Sequence, residues 1–217
     1  MRTIAFVMFG AILLVGSPFN NGIVNGQANP VLTHIGHVLD GFDAAPNKQG
    51  LLPTALAEAK IATTHAGLAL KNSDNLDALK LHAGHVIHAL DPMVEATGPG
   101  QGFGVKRAAA GVAQHAQLAG KSPGSGFVVA AKATQVAGAA NNAAKRADEV
   151  IALAQKARAA TTAAEAAALM QQISTALTQL TQGFDANKNG EITWDAPEGG
   201  LQQAQEQMQE MRKAATT

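Results

Sequence analysis

Thr161-Thr-Ala-Ala-Glu-Ala-Ala-Ala-Leu169-Met-Gln-Gln-Ile173-Ser-Thr-Ala-Leu177-Thr-Gln-Leu180-Thr-Gln-Gly-Phe184 is the stretch that decides the fold. Leu169, Ile173, Leu177, Leu180 and Phe184 recur every three or four positions. That spacing draws one apolar stripe on an α-helix and does not fit the two-residue period of a strand. Outward from it, Pro and Gly cluster at 46–53, 92–104, 120–126, 183–190 and 197–200, and the stretches between them keep the helical period. Helices are expected at about 30–42, 52–72, 74–91, 104–120, 125–159, 161–184 and 199–214, with Ser73 and Thr161 as N-caps. The fold class is therefore all-α, an up-and-down bundle of about six or seven helices. Residues 29–122 form a histidine-bearing bundle, and 123–217 an Ala-rich hairpin packed with it as one domain.

Composition agrees and excludes several functions. The chain holds 46 alanines and no tyrosine, with a single Trp, which favours thin, closely packed helices over sheets built from β-branched and aromatic residues. No Cys is present, so disulfides, thiolate-bound zinc, iron–sulfur clusters and thiol nucleophiles are excluded. The 16 Lys+Arg balance 16 Asp+Glu, an unfavourable basis for nucleic-acid binding, which needs a basic face. The first 28 residues read as a secretory signal: Arg2 is the positive start, 3–16 is an apolar run too short to span a bilayer comfortably, and Gly26-Gln27-Ala28 offers small residues for cleavage. A periplasmic or secreted location follows as an expectation. No later stretch reads as a membrane span.

All seven histidines lie between 34 and 115. His34-Ile-Gly-His37-Val-Leu-Asp-Gly-Phe-Asp43 aligns with His82-Ala-Gly-His85-Val-Ile-His88-Ala-Leu-Asp91, and His65-Ala-Gly-Leu-Ala with His115-Ala-Gln-Leu-Ala. This is an internal repeat, one His start on each of the first four helices. The 74–91 helix has Leu76, Leu79, Ala83, Val86, Ile87 and Leu90 as its main stripe; His85 and His88 fall well away from it and His82 on its flank. His65 likewise lies opposite the stripe of its own helix.

Three readings fit this second face: solvated histidines, a transition metal such as Cu, Zn or Ni held by imidazoles drawn from His34, His37, His65, His82, His85, His88 and His115, and a haem b held between two histidines. The small residues beside each His favour close helix approach over the wide slot a haem needs. His65 precedes the turn at 72–73 by about as many residues as His82 follows it, so the two sit within roughly 3 Å in height along the hairpin. A site built from His65, His82 and one or two of His34, His85 and His115 is geometrically allowed. With its export signal, helical His repeats and lack of Cys, the region 30–120 resembles small periplasmic His-rich metal-binding proteins, which implies sequestration or buffering of a metal ion.

Asp185-Ala-Asn187-Lys-Asn189-Gly190-Glu191-Ile192-Thr193-Trp-Asp195 is the sharpest local motif. It resembles an EF-hand loop, with side-chain oxygens at positions 1, 3 and 5, Gly at 6 and an apolar residue at 8. The resemblance implies a helix-loop-helix and Ca²⁺ ligands at Asp185, Asn187, Asn189 and Glu191. The twelfth position, where the family places a bidentate Glu, is Ala196, so Asp195 or Glu198 would have to replace that ligand. An echo of the start, Gly41-Phe-Asp-Ala followed by Asn47-Lys-Gln-Gly50, lacks later oxygens and reads as a turn.

Two further signals carry less. Gly98-Pro-Gly-Gln-Gly-Phe-Gly104 could turn backbone amides toward an anion but matches neither phosphate-loop spacing, and reads as a connector. No acid–base pair or nucleophile motif stands out. The overall expectation is a non-enzymatic, exported metal-binding protein whose partners are metal ions. The rival is a calcium-stabilised interaction module with solvated histidines.

Overall fold

Capping side chains set three of the helix starts. The computed structural model describes residues 29–217, and the signal-peptide reading of 1–28 lies outside them. Among the described residues every long element is an α-helix: α1 Pro30–Leu39, α2 Leu51–Lys71, α3 Leu76–Leu90, α4 Val105–Lys121, α5 Gly126–Ala159, α6 Ala163–Gln182 and α7 Leu201–Thr216, with a short 3-10 turn at Pro46–Lys48. The Asn29 side chain accepts from the Val31 N–H at 3.0 Å, and Pro30 supplies the first helical position.

Three boundaries differ from the sequence expectation, each for a local reason. α3 is capped by Asn75, whose Oδ1 accepts from the Ala78 N–H at 3.0 Å, and not by Ser73. α6 is capped by Thr162, whose hydroxyl accepts from Glu165 N–H at 3.2 Å, while Thr161 N–H donates to the Glu165 carboxylate. α1 stops at Leu39 and not at 42, because Asp40 and Gly41 N–H both turn back onto the Gly36 carbonyl. Phe42 then donates to the Lys48 and Gln49 carbonyls, closing the expected turn at 41–50.

Packing is governed by alanine. α5, 34 residues long, is the spine against which α3, α4, α6 and α7 lie, while α2 packs on α3, α4 and α6, and α1 on α4. Ala108, Ala116, Ala140, Ala143 and Ala147 are fully buried, so neighbouring backbones approach closely. A Cβ added at Gly120 of α4 would stand 2.6 Å from the Ala133 Cβ of α5, so this crossing admits no larger residue. Larger side chains such as Leu52, Ile87, Met170, Ile173 and Leu177 fill what the alanines leave. Of the expected α6 stripe, Ile173, Leu177 and Leu180 are fully buried, whereas Leu169 is half-buried beside the buried Met170 and Phe184 lies beyond the helix end at Gln182.

The long connection from α3 to α4 is held by one carboxylate. Glu58 of α2 is fully buried, and its oxygens accept from the backbone N–H of Gln101, Phe103 and Gly104 at 3.0–3.1 Å. The glycine-rich segment 98–104 does present its amides to an anion, but that anion is the chain's own Glu58. Gly104 sits at φ 81°, and a Cβ there would meet Pro92 Cδ at 2.6 Å, so glycine is required.

Candidate metal centre

Two clusters of imidazoles emerge from this packing. The α1–α4 contact brings together His34, His37 and His115, and the α2–α3 contact brings together His65, His82 and His85. Within each cluster one nitrogen per ring lies within 4.8 Å of the others. In the first, the His115 Nδ1 stands 3.0 Å from His34 Nδ1 and 3.3 Å from His37 Nδ1. In the second, the His65 Nδ1 stands 3.1 Å from His82 Nδ1 and 3.2 Å from His85 Nδ1. His65 and His82 thus meet across their hairpin, as the rise arithmetic predicts. His34 and His115 do not join them and build a separate cluster with His37.

The clusters are built by exchange between two repeats. The first repeat runs through α1 and α2 and the second through α3 and α4. Each contributes a His-x-Gly-His pair from its first helix and a single His from its second. The pair of α1 meets the single His of α4, and the pair of α3 meets the single His of α2. A spacing of i, i+3 places two rings on one helix face, one turn apart, and the third arrives from the helix packed against it.

Hydrogen bonding alone does not satisfy such a cluster. Two neutral imidazoles can share one proton between their Nδ1 atoms, but a third Nδ1 brought to the same ring is left facing a lone pair or a second proton. A cation at the centre satisfies all three lone pairs together. With metal–imidazole bonds of about 2.0–2.1 Å, two ligands of a tetrahedral ion stand about 3.3–3.4 Å apart, close to the 3.0–3.3 Å found. Three protein nitrogens around a tetrahedral ion would leave its fourth position to another ligand. The spacing does not suit a haem, whose two axial nitrogens lie on opposite faces of the porphyrin at about twice a 2 Å bond.

The surroundings of five of the six rings disfavour their protonated form. All six are half-buried. Burial, and then the proximity of His37, lowers the pKa of His34 below its usual 6.5. Burial followed by His85 and His82 does the same to His65, and burial alone to His82. For His115 the causes are burial, then His37 and His34. His85 is lowered by burial and by His82 and His88, with Glu95 acting in the opposite sense. Coordination requires the neutral ring, so each shift favours it.

The two clusters differ at their edges. At the first, the Phe42 ring lies 5.6 Å from the His37 ring and 5.4 Å from the His115 ring, edge-on to both. At the second, His85 lines a cleft of about 160 Å³ together with Lys80, Glu95, Thr97 and Arg158.

His88 joins neither cluster. It is buried at 7% exposure, its Nδ1–H donates to the Glu95 carbonyl at 2.8 Å, and Gly98 and Gly100 pack on its ring. The helical wheel correctly takes it off the main stripe of α3; the 91–104 connection then covers it. Glu58 is the buried group that sequence reading missed, a single carboxylate set among Ala55, Ala59 and Ala62 of α2.

The loop between α6 and α7 folds around its own oxygens. Asp185 accepts from Asn189 and Gly190 N–H at 3.1 and 2.8 Å, Asn187 from Asn189 N–H at 2.9 Å, and Asn189 from Glu191 N–H at 2.8 Å. The Asp195 side chain is exposed, whereas Glu198 is 4% exposed and turns into the loop. Its Oε2 accepts from the Thr193 N–H and hydroxyl at 3.0 and 2.9 Å, and these donors hold its pKa below the usual carboxylate value. Asn142 and Arg146 of α5 donate to the Trp194, Asp195 and Pro197 carbonyls, which ties the loop to the spine.

The fold and the clusters together define an all-α bundle carrying two three-histidine groups close enough to hold a metal ion. No family model, curated protein or solved structure matches the chain.

Proposed function

We propose that this chain is an exported, non-enzymatic protein that binds two transition-metal ions, one at His34, His37 and His115 and one at His65, His82 and His85. The observation that carries the reading is the convergence of three imidazoles in each cluster, with two of the nitrogen–nitrogen separations at 3.0–3.3 Å, near the edge of a tetrahedral site. Among copper, zinc and nickel, the pyramidal cap with an open fourth position suits Zn²⁺ best, since Cu²⁺ and Ni²⁺ favour square arrangements. An open position also allows an ion to be taken up and passed on, which fits sequestration or buffering. The test is titration of the purified chain from 29 onward with Zn²⁺. Two ions per chain with no absorption band of a haem are expected, and no uptake at micromolar zinc would overturn the reading.

We further propose weak Ca²⁺ binding at 185–198, with Asp185, Asn187, Asn189 and the Glu191 carbonyl as ligands and Glu198 in place of the absent twelfth-position carboxylate. The support is the buried, inward-turned Glu198 side chain two residues beyond Ala196. Two Asn ligands lower the negative charge of the loop, so affinity in the range of about 10⁻⁴ to 10⁻³ M is expected. Trp194, the only Trp, lies inside the loop and reports binding by fluorescence.

A further inference from the structure

Next to the glycine of each His-x-Gly-His pair lies an acid–arginine ion pair. Gly36 stands between His34 and His37, and a Cβ there would lie 3.7 Å from Asp40 Oδ2. That oxygen is bound at 2.6 Å by the Arg212 guanidinium of α7. Gly84 stands between His82 and His85, and a Cβ there would lie 3.9 Å from Arg158 Nε of α5. Arg158 in turn binds the Glu95 carboxylate. The two pairs are unrelated in sequence, since Asp40 is four residues beyond its glycine and Glu95 eleven, and the arginines come from different helices. Each nonetheless sits over the same place in the repeat.

Such a pair has an electrostatic consequence for an arriving ion. Three neutral imidazoles contribute no charge, so a divalent ion bound by them keeps its full positive charge in a half-buried place. A carboxylate beside the cluster offsets that charge, and a guanidinium beside it opposes binding. Groups just outside the ligands of a metal site set its affinity in this way. Glu95 and Arg158 line the same cleft as His85, so both charges face the second cluster's edge.

We propose that Glu95 and Asp40 are the charge-compensating carboxylates of the two metal sites, and that Arg158 and Arg212 oppose metal binding and hold it below what the imidazoles alone would give. The inference rests on the metal reading of the two clusters. Glu95 has a side-chain exposure of 21% against 64% for Asp40. Water and salt screen the exposed pair more strongly, so the effect is larger at the second cluster.

The test is a competition titration of Zn²⁺ against a chelating indicator on the full chain. Each site is read alone, in a background where the other cluster carries two His→Ala substitutions. In the second cluster, Glu95→Gln weakens zinc binding about three- to tenfold and Arg158→Met strengthens it by a similar factor. In the first, Asp40→Asn weakens and Arg212→Met strengthens it by about twofold. Opposite signs for the two members of one ion pair are the signature, because a purely structural tether would weaken binding when either end is cut. Weakening by both members, or four variants indistinguishable from the unaltered chain, overturns the inference while leaving the metal reading intact. Absence of zinc uptake in the unaltered chain overturns the metal reading and this inference with it.

Discussion

The histidine clusters and the 185–198 loop gather donor atoms by opposite means. His34 and His115 meet although 81 residues separate them, so the first cluster exists only because α1 packs on α4. The loop draws its oxygens from one continuous segment and folds around them through hydrogen bonds two to five residues apart. Imidazoles fixed on four packed helices are preorganised for an ion, whereas the loop side chains are largely exposed and are already bonded to the loop's own amides. The comparison predicts tight binding at the helices and weak binding at the loop, each independent of the other.

The largest effects come from removing ligands at the helices. His65→Ala with His82→Ala should eliminate one of two zinc equivalents, a loss of affinity of at least about a hundredfold at that cluster, because one imidazole alone holds an ion weakly. His34→Ala with His115→Ala should eliminate the other, and His88→Ala should eliminate neither. Isothermal titration of the three variants checks this, and uptake surviving both double substitutions would place the ions elsewhere.

Next in size is Glu58→Ala. It leaves two buried N–H groups and a half-buried one without an acceptor and should lower stability by about 3–5 kcal/mol, read by urea unfolding. Because Glu58 touches neither cluster's nitrogens, zinc stoichiometry should stay at two under folding conditions. A loss below about 1 kcal/mol would show that the 98–104 connection does not depend on it.

At the loop, Asp185→Ala and Glu198→Gln should each abolish the Trp194 fluorescence change at millimolar calcium, together with any calcium-dependent rise in Tm, and leave zinc uptake unchanged. No Trp194 response in the unaltered chain would mean the segment is a turn only. If Glu198→Gln still responds fully, the replacement for the twelfth-position ligand is some other group.

The smallest effect is on pH. His34, His65, His82, His85 and His115 ionise below 6.5 when folded, while in the unfolded chain they take protons at about 6.5. Stability without metal should therefore be complete above 6.5 and decline as pH falls from there through the folded values. Zinc affinity should decline in the same direction as protons compete for Nδ1. Melting curves at pH 7.5 and 5.5 check the sign; a Tm that rises on acidification would contradict it.

Much of the fold is written in the local period. Leu169 to Leu180 shows its helix directly, and the Pro and Gly clusters mark four of the six interhelical connections, while those at 72–75 and 160–162 hold neither residue. The caps were less legible, because Ser73 and Asn75, or Thr161 and Thr162, carry similar chemistry one or two residues apart. The histidine repeat was visible, but its partnering was not. His65 and His82 share a short hairpin, so rise per residue brings them to one height. The meeting of α1 with α4 depends on how the 41–50 and 91–104 connections cross the bundle, which no spacing encodes. For the same reason a wheel puts His88 with His85, while the folded chain covers His88 with a loop and leaves His85 in its cluster.

The most direct test of the two-cluster account is a histidine ring nitrogen spectrum of ¹⁵N-labelled protein before and after two equivalents of Zn²⁺. Six histidines, 34, 37, 65, 82, 85 and 115, should show their Nδ1 resonances shifted to the metal-bound position, with His88 unchanged. Coordination through Nε2, a shift at His88, or no change at these six rings would contradict it.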